Sequence, residues 1–315
     1  MEVTFVRVLV TGGAGFIGSN IVFELVEKGF ETYVVDSMHT GNEKNLEGVM
    51  DSVRLFKCGA GEIPSLSLPK VDFVLHYGIY SSSPMYKEDR RRVAEAIGDA
   101  ITVFEFAKDC GSRVILCSTS SLYNGLPTPW REDAVPLVTD FYTEARIAIE
   151  RLAELYHKLY GLNVITLRHF SIYGPKEEYK GQYANNITQF LWCMMKDKPP
   201  VIFGDGNQTR DFVYVKDAVE AAMRAMEKDI EYDVFNVGTG KDTSFNKIVE
   251  ILNRKLGKNI KPKYVPNPIK NYVYKTQADP TKAEKILGFR AKTTLEEGID
   301  KTIQYYKQLE WIPDV

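Results

Sequence analysis

Short apolar runs alternate with amphipathic stretches through the first half of the chain. Residues 6–10, 31–35, 71–76, 113–117 and 163–168 are strand-length runs rich in Val, Ile and Leu. Between them apolar residues recur at helical spacing, over residues 16–28 and over two longer stretches, 92–109 and 142–160. Strand–helix alternation of this kind predicts an α/β fold with a doubly wound parallel sheet of Rossmann type. After about Ser171 the texture changes. Tyr, Pro, Gly and Lys become frequent, and shorter strands and helices are expected, with strands at 199–203 and 234–237 and a helix at 245–256. The expected division is a dinucleotide-binding unit over residues 1–171, to which a later stretch near 205–238 returns, and a smaller α/β substrate-binding unit over 172–315. No internal repeat is visible.

Composition narrows the partners. The 315 residues carry a formal net charge of −2, so no global basic field favours nucleic acid or an anionic membrane. Anionic ligands must then be held by helix N-termini and single cations. No apolar run is long enough to cross a bilayer. Residues 1–10 run straight into a Gly-rich turn and read as a first strand rather than a signal peptide. Cys58, Cys110, Cys117 and Cys193 show no CxxC spacing and no nearby His cluster, so free thiols in the cytoplasm, and no metal, are expected.

The Gly-rich turn, Thr11-Gly12-Gly13-Ala14-Gly15-Phe16-Ile17-Gly18, follows a strand and opens a helix. Gly12 permits a tight turn, Gly15 lets backbone approach a pyrophosphate, and Gly18 lets the helix sit against the sheet. Phe16 and Ile17 then present N–H groups at a helix start, where a partial positive charge faces the phosphates. Asp36 ends the second strand, followed by Ser37. A carboxylate there can accept both ribose hydroxyls of adenosine and repels a 2′-phosphate, which favours NAD over NADP. The bland alternative is an Asp that only forms a turn.

The sequence resembles the extended short-chain dehydrogenase/reductase superfamily, in its nucleotide-sugar epimerase/dehydratase branch. The resemblance rests on TGGAGFIG at 11–18, STSSLY at 118–123, YTEAR at 142–146, LRHFSIYGP at 167–175, GDGNQTRDFVYVKD at 204–217 and NVGTG at 236–240. It implies transient oxidation of a sugar carbon by bound NAD while Tyr142 takes the hydroxyl proton. A free phenol titrates near ~10, so bringing it to neutrality needs ~4 kcal/mol of preferential stabilisation of the phenolate. A neighbouring cation and the positive nicotinamide ring are the available sources. Thr119 is implied as the proton-passing hydroxyl, with Ser118 and Ser120 as close alternatives.

Where the family has YxxxK, this chain has Arg146. It shares the helix face of Tyr142 and stays charged, but its planar fork binds hydroxyls differently. Other departures cluster nearby. Gly59 stands where the family often has an acid for adenine. His76-Tyr77-Gly78-Ile79 replaces His-Leu-Ala-Ala, Ser171 replaces an Asn, and His169 replaces an aromatic residue beside the nicotinamide, where a packing role is equally open. Tyr77, Gly78, Tyr142, Arg146 and His169 complete the implied cofactor set.

The resemblance also places a nucleotide-sugar diphosphate against Arg210, whose alternative is a salt bridge to Asp211 or Asp205. Asn185, Ser120 and Ser171 are implied near the substrate, and Lys270 as a point charge in place of an absent Arg. Dehydratases of the branch carry Asp-Glu directly after the Thr, and decarboxylating relatives a Glu where Ser121 stands. With Ser120 and Ser121 there, epimerisation, most simply of a UDP-hexose at C4, is the expected reaction. A dehydrogenase or reductase with net redox turnover and a catalytically impaired NAD-binding relative stay open. A homodimer through the two long helices is implied as well.

Overall fold

The computed structural model describes residues 6–314, so positions 1–5 of the expected first strand lie outside the described residues. Five expected runs form strands: β1 (Arg7–Thr11), β2 (Glu31–Val35), β4 (Phe73–His76), β5 (Arg113–Thr119) and β6 (Val164–His169). The strand β3 (Val53–Phe56) lies beside β2 at the sheet edge. It escapes sequence reading because its four residues are only partly buried and include Arg54, so no apolar run marks it. A much later strand, β10 (Tyr232–Val237), closes the other edge. The seven strands are parallel in the order β10-β6-β5-β4-β1-β2-β3.

Helix α1 (Phe16–Glu27) follows β1 and packs with α6 (Val215–Glu227) on one face. The short α2 (Ser83–Glu88) precedes α3 (Arg92–Cys110), which packs with α4 (Phe141–Tyr160) on the other. Both faces are covered by helices, so the strands can be apolar throughout, and Leu9, Val74, Ile115 and Ile165 are all fully buried. Helix α4 starts where the Asp140 side chain accepts the Thr143 N–H, and it ends on Gly161 at φ +68°.

From Ser171 on, the remaining elements are β7 (Ser171–Tyr173), α5 (Asn186–Met195), β8 (Val201–Phe203), β9 (Thr209–Tyr214), β11 (Asp242–Ser244), α7 (Phe245–Leu256), β12 (Lys263–Val265) and α8 (Leu295–Gln308), whose apolar side chains join the same core as β1, α1 and α6. Strands β11, β9 and β7 make a small sheet and β12 pairs with β8. Strands here are indeed mostly three residues long. The expectation of shorter helices is overturned, because α6 and α8 span 13 and 14 residues against 12 for α1. They carry Ala, Met and Tyr on their buried faces, a weaker apolar signal than Val, Ile and Leu.

One buried ion pair joins helix to sheet. Arg168 on β6 forks onto Glu150 of α4, with Nε–Oε1 3.0 Å and Nη2–Oε2 2.6 Å, and both side chains are under a tenth exposed. Ser118 also donates to Glu150, and Arg168 Nη1 donates to the Tyr123 hydroxyl and the Glu132 carbonyl. Tyr123 in turn donates to Asn236 on β10. Replacing Glu150 by Ala leaves the guanidinium buried without a counter-charge and should lower unfolding free energy by about 3–5 kcal/mol. Glu150→Leu combined with Arg168→Met should lose clearly less; urea unfolding measures both.

Candidate active site

The order of strands reverses between β1 and β4, and the loops that leave their C-terminal ends part there to open a cleft. Gly12 sits at φ +69°, and its backbone is so close to Gly78 that a Cβ on it would stand 2.7 Å from the Gly78 Cα. Thr11 Oγ1 fixes the contact by accepting the Gly78 N–H at 3.0 Å and meeting His76 Nδ1 at 2.7 Å. Gly18 differs from expectation. Its missing Cβ makes room for the Gly12 carbonyl, 2.0 Å from where that carbon would be, so the helix can close onto its own turn while Ile21, Val22 and Leu25 pack on the sheet. Helix α1 begins on Gly15 with no side chain capping it, which leaves the N–H groups of its first turn facing the cleft.

Asp36 does form a turn, its Oδ1 accepting the Met38 N–H at 2.8 Å, and its Oδ2 accepts the Ala14 N–H of the Gly-rich turn at 2.9 Å. Each oxygen keeps further acceptor capacity. No cation pairs with Asp36 among the described residues, and burial raises its pKa.

At the end of β5, Thr119 accepts the Ser121 N–H at 3.1 Å and donates to the Ser121 hydroxyl at 3.2 Å, and it lies near enough to the Tyr142 phenol, on the first turn of α4, to pull that group's pKa down. Ser118 is turned to Glu150 and Ser120 opens a 3-10 turn, so Thr119 is the hydroxyl beside Tyr142. Arg146 follows one helical turn later, its guanidinium carbon 5.3 Å from the Tyr142 ring centre. It is buried and held by carbonyls alone, Nη1 to Cys117 at 2.7 Å and Nη2 to Tyr80 at 2.9 Å, while Nε has no partner. The Tyr142 pKa is nevertheless raised: burial outweighs the opposing pull of Arg146 and Thr119. The protein's own groups do not bring the phenol to neutrality.

His169 lies across from these residues, its Nε2 3.2 Å from the Tyr77 hydroxyl and its Nδ1 buried without a partner. On the other wall Arg210 points between Phe245 and Tyr272, 5.4 Å from each ring centre. Neither acid offered as its alternative partner reaches it. Asp211 accepts from Thr239, Gly240 and Ala278, and Asp205 from Asn207. Arg210 therefore has no carboxylate partner among the described residues, and burial lowers its pKa. Asn185 caps α5, accepting from Ile187 and donating to the Ile172 carbonyl. Ser171 lies at the start of β7, and Lys270 is exposed at the rim.

All the catalytic, cofactor-binding and substrate-binding candidates line this one cleft, Ser37, Phe16 and Ile17 included. Its volume, about 500 Å³, falls in the range of small-molecule sites. Sequence reasoning missed Lys180, which reaches the cleft from the segment after β7 with Nζ 5.4 Å from the Phe16 ring centre. It belongs to an irregular stretch with no periodicity, so only its charge could have drawn notice.

The profile of the "NAD dependent epimerase/dehydratase family" matches residues 8–238, nearly three-quarters of the sequence and all seven strands of the main sheet apart from the first residue of β1. The chain belongs to that family. Members are NAD-dependent enzymes that act on nucleotide sugars, and NAD is the cofactor. The uncapped helix start, the close Gly12–Gly18 approach and the cation-free Asp36 all fit it. A UDP-glucuronate 4-epimerase of Thermodesulfobacterium geofontis is 32% identical, covering 95% of this chain and 96% of its own. A UDP-N-acetyl-alpha-D-glucosaminuronate decarboxylase of Bacillus cytotoxicus is 28% identical, covering 96% and 98%. The solved UDP-glucose 4-epimerase of Thermotoga maritima, with UDP-glucose, superposes with a TM-score of 0.90 at 32% identity, covering 96% of this chain and 99% of that one. The chain is thus similar to enzymes of more than one reaction.

Two buried imidazoles are held in neutral form, His169 on the cleft wall and His76 against Thr11. Burial first, and the charge of Arg146 second, push both His76 and His169 down to about 3. An unfolded chain protonates histidine near ~6.5. Unfolding therefore takes up protons between these values, so each imidazole costs stability as pH falls below ~6.5, by about 2 kcal/mol at pH 5. His169→Gln should shrink the difference in unfolding free energy between pH 7 and pH 5 by about that amount.

Proposed function

We propose that the chain is an NAD-dependent epimerase of a nucleotide-activated sugar, most simply a UDP-hexose at C4. The observation that carries this reading is the Thr119–Tyr142 contact beside Arg146, with no free carboxylate at the reacting end. Ser120 and Ser121 follow Thr119, and the nearby Asp140 is engaged with Ser83 and with the Thr143 N–H of α4. Elimination and decarboxylation need a proton donor that this arrangement does not offer.

NAD, when bound, supplies the oxidising power and takes back nothing net over a full cycle. Tyr142 removes the proton of the sugar hydroxyl, and Thr119 passes it on through a shared hydrogen bond. Arg146 stabilises the resulting phenolate electrostatically at fixed range. A positive charge on the bound cofactor would supply the lowering of the phenol's pKa that Arg146 and Thr119 do not achieve against burial, so Tyr142 would act as a base in the loaded enzyme. That dependence favours the deprotonated phenol at the stage that needs it. Arg210, without a carboxylate partner, binds the diphosphate as a fork. Holding the substrate by its diphosphate leaves the sugar free to present either face, and inversion at one carbon requires that. The N-termini of α1, Asp36, Tyr77, Gly78 and His169 line the cofactor's path, and Asn185, Ser171 and Lys270 the nucleotide's. The outward residues Ile101, Leu155, Leu159 and Tyr160 of α3 and α4, all more than a third exposed, support a homodimer through these helices.

Purified protein given UDP-glucose without added NAD should form its C4 epimer while the absorbance of reduced nicotinamide stays flat. Growth of that absorbance in step with product would establish a net dehydrogenase instead, and a 4-keto-6-deoxy product a dehydratase. Tyr142→Phe should lower kcat by roughly 10²–10⁴-fold with NAD still bound. Turnover found only in Arg146→Lys would identify the natural chain as an impaired relative. Leu159→Glu should convert a dimer to a monomer in sedimentation velocity.

A further inference from the structure

We infer that Asp99, on α3, recognises the adenine of the bound dinucleotide by accepting a hydrogen bond from its exocyclic amine. The inference rests on NAD occupying the cleft as proposed above. With the diphosphate at the start of α1 and the adenosine ribose at Asp36, the base must continue past Asp36, away from Tyr142. The wall there consists of Cys58, Gly59 and Ala60 after β3, the loop through Gly41, and the side chains of Glu95 and Asp99.

Residues 57–61 read Lys-Cys-Gly-Ala-Gly and offer no acidic side chain. Glu62 accepts the Gly59 N–H at 3.0 Å and is folded against its own turn. Glu95 accepts the Tyr80 hydroxyl at 2.8 Å. Asp99 differs from both. It is half-buried, it takes a hydrogen bond from the Gly61 backbone, and no cation pairs with it among the described residues. Gly61 is what admits it: a Cβ there would stand 2.7 Å from Asp99 Oδ1. Burial and the nearby charge of Glu95 raise its pKa to about 6. A carboxylate in that setting lacks donors. Adenine presents an N–H donor at C6, whereas hypoxanthine presents a carbonyl oxygen that the carboxylate repels. The acid that reads the base thus comes from the helix, and the loop supplies only the space.

The test is calorimetric titration of nucleotide-free protein with NAD and with nicotinamide hypoxanthine dinucleotide. The parent protein should bind NAD on the order of 10-fold more tightly or better, the size of one charged hydrogen bond. Asp99→Leu should bring the ratio of the two affinities close to one. Asp99→Asn, which keeps the shape and the Gly61 contact, should also bring it down, because its amide can donate to the hypoxanthine oxygen. Gly59 has φ −70°, and a Cβ on it would meet only a Glu62 oxygen at 3.8 Å, so an acid fits there. Gly59→Asp added to Asp99→Leu should restore preference for NAD. Equal binding of both dinucleotides by the parent, or variants that weaken both alike at an unchanged ratio, would overturn the assignment and leave the NAD reading intact. Failure of the parent to bind either would overturn both.

Discussion

The site depends on how closely two turns of backbone can approach at the point where the sheet changes direction. Gly12 and Gly78 come from different strands, and neither has room for a side chain. Thr11 locks them together through one hydroxyl that serves both His76 and the Gly78 amide. Because the two loops are fixed to each other, the start of α1 and the ends of β4 and β5 form one rigid rim. Everything the cleft binds is placed relative to that rim. The cost is local: His76 Nε2 is buried without a partner, and the imidazole must stay neutral.

Around the rim the protein leaves cations without carboxylates. Arg146 is satisfied by two carbonyl oxygens, Arg210 by the Thr209 and Tyr274 carbonyls and two aromatic rings, and Lys180 lies over the ring of Phe16. Arg146 and Arg210 are stabilised by dipoles and π-electrons rather than by an ion pair, and Lys180 also feels the charge of Glu177, so the two guanidinium groups in particular retain attraction for an anion. In a chain with net charge −2 this is how phosphate-bearing ligands are drawn in. By contrast Arg168, buried as deeply, is fully paired with Glu150 and takes part in holding the fold.

The main sheet and its helices were legible because parallel strands covered on both faces must be continuous apolar runs, and because Gly12–Gly18 and Asp36 stand at fixed places relative to them. The meeting of Tyr142, Thr119 and Arg146 in one cleft was legible through spacing and resemblance. What stayed hidden is long-range or irregular. The polar edge strand β3 carries no pattern, and the ladder between β6 and β10 joins segments more than 60 residues apart. What fills the space left by the absent Cβ of Gly18, the Gly12 carbonyl, is also not readable from sequence. Lys180 and Asp99 reach the cleft from an irregular segment and from a helix face, respectively, and nothing local in the sequence aims either one inward.

The bond from Tyr123 to Asn236 has a bearing on recombination between relatives. Asn236 also donates to the Trp130 carbonyl, and its own amide is received by Glu132. Strand β10, though it lies between the two halves of the C-terminal elements in the chain, is thereby stitched into the interior framework. A chimera that exchanged everything after Ser171 as a single block would import a foreign edge strand and unmatched partners for Tyr123 and Glu132. A viable crossover keeps residues 232–237 with the N-terminal parent and exchanges the segments on either side, so specificity is modular here only as two separate inserts.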